Sequence, residues 1–330
     1  MKRQQLVIIL LVVLFFLLVY FMGRDLFTGG PVSQHNPTEY NIDKYKIVDS
    51  SKICYNEILH ASISLEEING IAVDQNSDIY ITGDQEVQFF DSNLQIKAVF
   101  KLDTMANCIA IGGQNTLYLG IGAHVETFSK DGQRISQWKP LNGEGYITSI
   151  VQIGGFVYAA DAGNRVVLQY DEEGIIRREI GRKDTLHGIN GLILPSLYLD
   201  VAAGPGDDLW VNNTGRHLLQ SFSENGKLNT AWGETSIMLE GFAGCCNPVH
   251  FAILPDGYFV TYEKGMDRIK MYDRAGIFVC VVTAPTEIDE SALSNCNEGA
   301  KVHDLCVDPS SGNILVLDAS KKMIRVFQKN

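Results

Sequence analysis

Short apolar segments separated by polar turns recur in the same order along most of the chain. The clearest unit has an apolar strand, a turn, a second strand with an aromatic residue, and a third strand that ends in aromatic-Asp-x-x-Gly. In the first copy the strands are Ile71 to Asp74, Ile79 to Ile81 and Val87 to Asp91. The chain contains six copies in all, at a spacing of about 40 to 55 residues, which is typical of a repeat fold. Six aromatic residues close the third strands: Phe90, Phe128, Tyr170, Phe222, Tyr272 and Phe327.

The repeats predict the fold class, an all-β six-bladed β-propeller. Five copies carry a fourth, outer strand, so each copy is read as one four-stranded sheet, and six such sheets around an axis form a propeller. The sixth copy ends with its third strand near Asn330. We expect the apolar stretch from Tyr45 to Leu59 to supply the missing strand and close the ring. The alternative, an all-β sandwich, leaves six aligned copies as a coincidence.

The N-terminus differs from the repeats, because residues 6–22 are 17 apolar residues without a charge. As a helix this run covers about 26 Å, close to the hydrocarbon thickness of a bilayer. Lys2 and Arg3 precede the run, so the positive-inside rule predicts a cytoplasmic N-terminus and a propeller on the periplasmic or extracellular side of the cell membrane. A cleaved signal peptide is the alternative, although no A-x-A-like site follows.

These observations predict three regions in the chain. Residues 1–23 are expected to be the cytoplasmic N-terminus with a single-pass transmembrane signal anchor, and residues 24–45 are expected to be a flexible tether. Residues 46–330 are the predicted propeller. The formal net charge is −12, from 27 Lys+Arg against 39 Asp+Glu, so the chain offers no attraction to phosphate backbones and no nucleic-acid partner is expected.

Two of the repeats carry a family resemblance. VYAADAGNRVVLQYDEEG, which begins at Val157, and FVTYEKGMDRIKMYDRAG, which begins at Phe259, resemble NHL repeats. The resemblance extends from about Lys46 to Phe327 and implies a six-bladed propeller. The Gly-Cys-Cys-Asn-Pro segment that ends at Pro248 is similar to one in a subset of exported bacterial NHL proteins. Members of this family include binding proteins, lyases and esterase-like enzymes, so the resemblance implies the fold more strongly than an activity.

The starts of the six inner strands predict a ring of side chains around the central channel. The residues at this position are Gly70, Cys108, Ser149, Asp200, His250 and Asp304. The thiol, imidazole and carboxylates are metal-ligand types, so Cys108, Asp200, His250 and Asp304 are candidate ligands for a divalent metal or copper. His303, one residue earlier, adds a second imidazole. The alternative is that a water-filled channel mouth simply tolerates polar residues.

The adjacent pair Cys245-Cys246 lies just before the fifth repeat, and Asn247 and His250 follow it closely. Three interpretations compete for the pair: a redox-active pair, thiolate ligands for a soft metal, and a structural disulfide to a distant partner such as Cys296. The chain has 7 Cys, an odd number that leaves at least one thiol unpaired within the chain. Cys280 and Cys306 lie in apolar strands and are expected to be buried small residues.

Glu263 and Lys264 occupy the turn after the second strand of the fifth repeat, where other copies have Asp or Asn. This pair is a candidate to face the channel opening and bind a ligand, although such a pair more often forms a solvated turn. The sequence contains no haem, nucleotide or iron–sulfur motif and no known catalytic signature, so the cofactor stays unassigned.

The sequence therefore predicts a membrane-anchored, extracytoplasmic propeller that binds a protein or small-molecule ligand on the channel face near Cys245, Cys246 and His250. The first alternative is a metal-dependent or thiol-redox enzyme that uses these three residues together with Asp304. The second alternative is a structural scaffold of an envelope complex.

Overall fold

The structure is a computed structural model, and it describes residue 5 and residues 11–20, 43–186, 190–285 and 304–330. The chain divides into two compact units, residues 1–42 and residues 43–330. In the first unit residues 11–20 are helical, and their apolar side chains are about half exposed or more. No helix within the described ranges is long and apolar enough to cross a membrane. The rest of the predicted anchor and most of the predicted tether lie outside the described residues.

The second unit is a six-bladed β-propeller, which confirms the predicted all-β fold class. Each blade is a four-stranded antiparallel sheet, and the inner strands of consecutive blades contact one another in a closed ring. From inner to outer strand, the first blade contains β2 (Gly70–Val73), β3 (Ile79–Gly83), β4 (Glu86–Phe90) and β5 (Ile96–Lys101). The second contains β6 (Cys108–Ile111), β7 (Leu117–Ile121), β8 (His124–Phe128) and β9 (Arg134–Gln137). The third contains β10 (Ile147–Ile153), β11 (Phe156–Asp161), β12 (Val166–Tyr170) and β13 (Ile176–Ile180). The next two contain β14 (Val201–Ala203), β15 (Leu209–Asn213), β16 (Leu218–Phe222) and β17 (Leu228–Trp232); and β18 (His250–Ile253), β19 (Phe259–Glu263), β20 (Arg268–Tyr272) and β21 (Phe278–Thr283).

The sixth blade joins the two ends of the propeller. It contains β22 (Asp304–Val307), β23 (Ile314–Asp318) and β24 (Met323–Lys329), and its outer strand is β1 (Tyr55–Ser62). Strand β1 pairs antiparallel with β24, from Tyr55 opposite Lys329 to Ser62 opposite Met323. A strand from the start of the propeller thus hydrogen-bonds to its end, and β24 is not left as an unpaired edge.

The polar turn after the third strand has a physical role that explains the repeat signature. In the third blade Oδ1 of Asp171 accepts a hydrogen bond from the backbone N–H of Ile175, which fixes the turn. Gly174 in the same turn has φ +79°, a backbone conformation that favours glycine, and it packs directly on the indole of Trp138 from the preceding blade. The same residue types therefore shape the turn and the contact between blades.

Most of the core lies between neighbouring blades. Trp210 of the fourth blade packs edge-to-face on Phe259 of the fifth, with ring centroids 4.7 Å apart. Tyr158 of the third blade belongs to an apolar cluster that includes Leu209 and Val211 of the fourth. Aromatic and branched side chains at equivalent positions of the repeat thus hold the ring of blades together, because each blade buries both of its faces against its neighbours.

A disulfide ties the start of the propeller to the fifth blade. Cys54, directly before β1, is bonded to Cys280 in β21, and the two are separated by 226 residues. The prediction that Cys280 is merely a buried small residue is wrong, because its neighbour across the blade boundary is a second cysteine. The backbone supports this contact, since Cys54 N–H donates to the carbonyl of Val281 at 3.0 Å.

The few helical segments of the second unit are short. An α-helical turn covers Asp43–Lys46, and 3₁₀ turns cover Ser50–Lys52, Gly113–Asn115 and Thr214–Arg216. The last two lie in the loops that follow β6 and β15. None of these turns is long enough to form a layer of its own, so the described propeller consists of sheets alone.

Candidate functional site

The central channel contains a cavity of about 670 Å³ that is lined by the inner strands of all six blades. Cys108, Ser149, Asp200, His250 and Asp304 all line it, although they come from five different blades. They meet because each stands at or beside the start of an inner strand, and these starts surround the channel axis. The predicted ring of side chains is therefore present as a spatial cluster.

Three members of this ring connect consecutive blades through hydrogen bonds. Oγ of Ser149 accepts the backbone N–H of Val201 at 3.3 Å, linking the third blade to the fourth. Oδ2 of Asp200 accepts the N–H of Phe251 at 2.9 Å, linking the fourth to the fifth. Oδ2 of Asp304 accepts the N–H of Ile71 at 3.0 Å, linking the sixth to the first. These acceptors satisfy backbone donors on the inner edges of the sheets.

The residues one position earlier form a second set of links. The side-chain amides of Asn69 and Asn107 donate to the carbonyls of Ala106 and Ile147 at 2.8 and 3.1 Å, and Oγ1 of Thr148 donates to a carbonyl of the next blade at 2.6 Å. Polar residues at the channel mouth are thus largely part of the contact between blades. This structural role accounts for a good part of the polarity that the sequence shows at these positions.

His250 lies between the two carboxylates of the ring. Its Nδ1 is 3.4 Å from Oδ2 of Asp200 and 3.5 Å from Oδ1 of Asp304, and its side chain is only 20% exposed. Burial lowers the pKa of the imidazole, but the hydrogen bond to Asp200 and the charges of both carboxylates outweigh it and raise the pKa above its usual value. The two carboxyl groups therefore favour the protonated form of the His250 ring. Among the described residues, no hydrogen bond is made by Nε2, which is the nitrogen available to a ligand.

Two other groups of the ring have raised pKa values. Burial raises the pKa of Asp304, although the charge of His250 opposes the shift. Burial also raises the pKa of the Cys108 thiol, and the two nearby carboxylates add to the effect. Because the thiolate is the reactive form, Cys108 is poorly placed to act as a nucleophile.

The cavity carries an excess of negative charge. Its described lining contains three carboxyl groups, those of Glu67, Asp200 and Asp304, against the single imidazole of His250, and it contains no Lys or Arg. Tyr146 and Tyr198 contribute aromatic rings to the same lining, and Tyr146 is 37% exposed. The cavity therefore combines a negative potential with apolar walls and aromatic surface.

The predicted metal site is not supported within the part of the chain that the structure describes. There, no group of three or more His, Cys, Asp or Glu side chains is arranged to hold a metal ion. Two of the candidate ligands, Asp200 and Asp304, instead use their oxygens to accept backbone hydrogen bonds between blades. His303, the remaining imidazole candidate, lies outside the described residues.

Cys245 and Cys246 are not part of the cavity lining. Their sulfurs are 3.7 Å apart, Cys245 is exposed, and Cys246 is buried. Burial and the neighbouring thiol raise the pKa of Cys246 to about 11, while Lys264 and a hydrogen bond with Ser196 act in the opposite direction. The cysteine pair thus does not line the cavity that contains His250. Cys296, its predicted disulfide partner, lies outside the described residues.

Asn247 anchors the cysteine segment to the turn after β19. Its side-chain amide donates to the carbonyls of Ala243 and Lys264 at 2.6 and 3.0 Å, and its Oδ1 accepts the N–H of Lys264 at 2.8 Å. The peptide bond from Asn247 to Pro248 is cis. Asn247 is itself buried, so it holds the loop in place and does not present a group to solvent.

Glu263 does not line the channel cavity and does not stand in a solvated turn, because it is the buried last residue of β19. Its side chain is fully buried, and one oxygen lies 2.8 and 3.0 Å from Arg268 and Lys270. Its other oxygen accepts the N–H of Ala243 at 3.0 Å. A carboxylate between two cations is stable in the interior only as part of such a network, so Glu263 is held there by its partners. Lys264 lies beside the channel cavity, because its Nζ is 2.9 Å from the hydroxyl of Tyr198, which lines the cavity.

Three features of this region were not predicted from the sequence. The buried cations Arg268 and Lys270 alternate with apolar residues in β20. Their charges within a central strand were the sequence signal that could have indicated a buried ion network. The aromatic residues Tyr146 and Tyr198 lie in loops, and no local sequence pattern indicates that these loops reach the channel. The disulfide of Cys54 joins residues 226 positions apart, a pairing that spacing alone does not specify.

The comparisons with known proteins agree with this fold. No protein family and no curated protein matches the sequence. A structural genomics protein of unknown function from Bacteroides thetaiotaomicron is 12% identical, with 84% of this chain and 76% of that chain covered and a TM-score of 0.60. A streptogramin B lyase is 14% identical, with 86% and 100% covered and a TM-score of 0.56. A catalytically inactive His-to-Ala variant of virginiamycin B lyase from Staphylococcus aureus, solved with quinupristin, is 12% identical, with 84% and 100% covered and a TM-score of 0.53. At these identities the likeness shows a shared β-propeller fold.

Proposed function

We propose that this protein is a membrane-attached, extracytoplasmic propeller of the NHL type that binds a small organic cation in its channel cavity. The observation that carries the proposal is the meeting of Asp200, His250 and Asp304 from three blades in one cavity of about 670 Å³. Cavities of about 300 to 1,000 Å³ suit small-molecule ligands. The ligand is therefore expected to enter the channel mouth.

The charge of the cavity selects the class of ligand. Even with His250 protonated, the two carboxylates beside it leave a net negative charge in the ring, and Glu67 adds another. In the interior, where the effective dielectric constant is lower than in water, this charge favours a cation. Tyrosine rings attract cations through their faces, and Tyr146 presents a partly exposed ring to the same space.

The location outside the cytoplasm has two independent supports. The disulfide between Cys54 and Cys280 is of a kind that persists in oxidising compartments and is rare in the cytosol. The uncharged run over residues 6–22, which follows Lys2 and Arg3, has the charge pattern of a segment that exports the following chain.

This location can be tested in spheroplasts with a membrane-impermeant maleimide, which reacts with the exposed thiol of Cys245. Labelling of the wild type but not of Cys245→Ser supports it, and labelling only after lysis contradicts it.

The binding test uses the full chain in detergent and isothermal titration with spermidine, choline and arginine amide. We expect Asp304→Asn to weaken binding by about tenfold or more, since it removes a charge-assisted contact. Asn keeps an oxygen that can accept the N–H of Ile71, so the link between blades is retained. The control is Glu172→Gln, which changes an exposed carboxylate that does not line the cavity. Equal binding of these cations by all three proteins, or binding by none, contradicts the proposal.

A second candidate function is an enzyme that uses His250 as a general acid. The carboxylates orient Nδ1 and favour the protonated ring, so Nε2 could donate a proton to a substrate in the cavity. Two structural neighbours are lyases, and one was solved with quinupristin. Incubation with quinupristin followed by chromatography separates the two functions. Consumption that is lost in His250→Ala would favour the enzyme, and unchanged quinupristin is the result expected for the binding protein.

A further inference from the structure

Two thiols of this chain lie side by side near the surface, outside the channel cavity. The sulfur atoms of Cys245 and Cys246 are 3.7 Å apart, and neither thiol belongs to the disulfide. In an extended chain the side chains of adjacent residues point in opposite directions. Here a bend over residues 244–246 brings both sulfurs to the same side, and Gly244 has φ +83°, which favours glycine.

The Cys245 thiol donates a hydrogen bond to the Cys246 sulfur, and the separation of the two sulfurs also fits a shared metal ion. Two thiolates bound to one tetrahedral ion at about 2.3 Å lie about 3.8 Å apart. A linear ion with similar bonds would need sulfurs about 4.6 Å apart, and a disulfide needs about 2.05 Å. The observed 3.7 Å is therefore the distance that a tetrahedral centre requires, without movement of the backbone.

We propose that Cys245 and Cys246 form a binding site for a thiophilic divalent metal ion such as Zn²⁺ or Cd²⁺ and occupy two corners of its tetrahedron. The two remaining corners are open to solvent molecules or to an external ligand on the exposed side of Cys245. Binding is an exchange without oxidation: each thiol loses its proton, two metal–sulfur bonds form, and two protons are released to solvent for each ion bound. The site is separate from the channel cavity and does not depend on the proposed cation binding.

The surroundings hold the pair in place before an ion arrives. Asn247, the next residue, is buried and makes three hydrogen bonds to Ala243 and Lys264. Cys246 is packed in the apolar cluster that contains Val249 and Tyr262. Because these contacts fix the loop on both sides of the bend, little conformational entropy is lost when the metal binds.

The test is a Cd²⁺ titration of the full chain in detergent, without added thiols, followed by the ultraviolet charge-transfer absorption of the cadmium–thiolate bond. We expect one Cd²⁺ per chain, release of two protons, and competition by Zn²⁺. Loss of groups that only support a metal ligand costs about 10- to 100-fold in affinity, so removal of a ligand itself in Cys245→Ser or Cys246→Ser should cost at least about tenfold.

The matched control is Cys306→Ser, which removes a free thiol from β22 and should leave the absorption unchanged. Cys245 is exposed, so Cys245→Ser is expected to fold, and circular dichroism checks that it does. The proposal is overturned if the wild type shows no charge-transfer band, or if the band is equally strong in Cys245→Ser. A bond between the two sulfurs, detected by mass spectrometry in the purified chain, would also overturn it, since no thiolate would then be available.

Discussion

Asp200 and Phe251 form a link between two consecutive blades, because Oδ2 of Asp200 accepts the backbone N–H of Phe251 at 2.9 Å. The same oxygen lies 3.4 Å from Nδ1 of His250. One carboxylate therefore contributes both to the contact between the fourth and fifth blades and to the charge of the channel cavity. Stability and ligand binding are coupled at this residue, so the two effects must be measured separately.

Replacement of Asp200 by alanine should destabilise the propeller by about 2 to 3 kcal/mol, because it leaves the N–H of Phe251 buried without an acceptor. Asp200→Asn keeps an oxygen at the same place and should cost clearly less. Urea unfolding of both variants and of Glu172→Ala, an exposed control, measures the difference. Equal stability of the alanine and asparagine variants would show that the link to Phe251 contributes nothing.

The stability of the protein should fall as the pH rises through the neutral range, because of His250. The pKa of its imidazole is raised above 6.5 in the fold, chiefly by Asp200 and Asp304, which outweigh the effect of burial. At pH values between the pKa of His250 in the unfolded chain and its higher pKa in the folded protein, only the folded protein keeps this proton. The contribution to stability is thus complete below about pH 6.5 and is lost as the pH passes the folded pKa.

The pH dependence can be assigned to His250 by comparison with a variant. Thermal unfolding of the wild type and of His250→Gln between pH 6 and pH 9 should differ most at low pH and converge at high pH. Asp304 also has a raised pKa, which changes stability with pH in the same direction, so only the comparison with His250→Gln assigns the effect to His250. A constant difference between the two proteins across the range would show that the pKa of His250 is not raised.

Much of the architecture could be predicted because it depends on local patterns that repeat. The aromatic residue that closes each third strand and the turn that follows, such as Tyr170 and Gly174, give the number of blades directly. Alignment of the inner strands also brings Cys108, Asp200, His250 and Asp304 together at one channel, as the structure has them. Repetition supplies this information, since equivalent positions of the blades must surround the same axis.

What could not be predicted depends on contacts between distant residues. The sequence pattern suggests a turn at Glu263, but the residue ends β19, and only the fold shows that Arg268, Lys270 and the N–H of Ala243 surround it. The side chain of Asp304 has the chemistry of a metal ligand, but its oxygen is engaged by Ile71 from the other end of the sequence. Residue type indicates what a side chain can bind, whereas the tertiary neighbours decide what it does bind.

Removal of the disulfide between Cys54 and Cys280 should destabilise the propeller by about 2 to 5 kcal/mol, because the bond closes a long loop in the unfolded chain. The double variant Cys54→Ala/Cys280→Ala should unfold at a lower urea concentration than the wild type. A reductant should lower the midpoint of the wild type toward that of the variant and leave the variant unchanged. A reductant that affects both proteins equally would show that the bond is not the source of the difference.

The contact between Gly174 and Trp138 allows the two functions of a repeat glycine to be separated. A Cβ on Gly174 would lie 2.4 Å from Cδ1 of Trp138, and the backbone there has φ +79°. Gly206 has a similar φ of +81°, but a Cβ at this position would meet nothing within 4 Å. Gly206→Ala therefore measures the cost of the backbone conformation alone, which is about 1 to 2 kcal/mol.

Gly174→Ala should cost about 1 to 3 kcal/mol more than Gly206→Ala, because the added methyl group must displace the indole from its packed position. The double variant Gly174→Ala/Trp138→Leu should recover part of this loss, since the smaller side chain makes room for the methyl group. Chemical denaturation of the wild type, Gly174→Ala, Trp138→Leu and the double variant measures the coupling between the two positions. Equal costs at Gly174 and Gly206 would mean that the glycine is required only for its backbone conformation and that the contact between the blades tolerates a side chain.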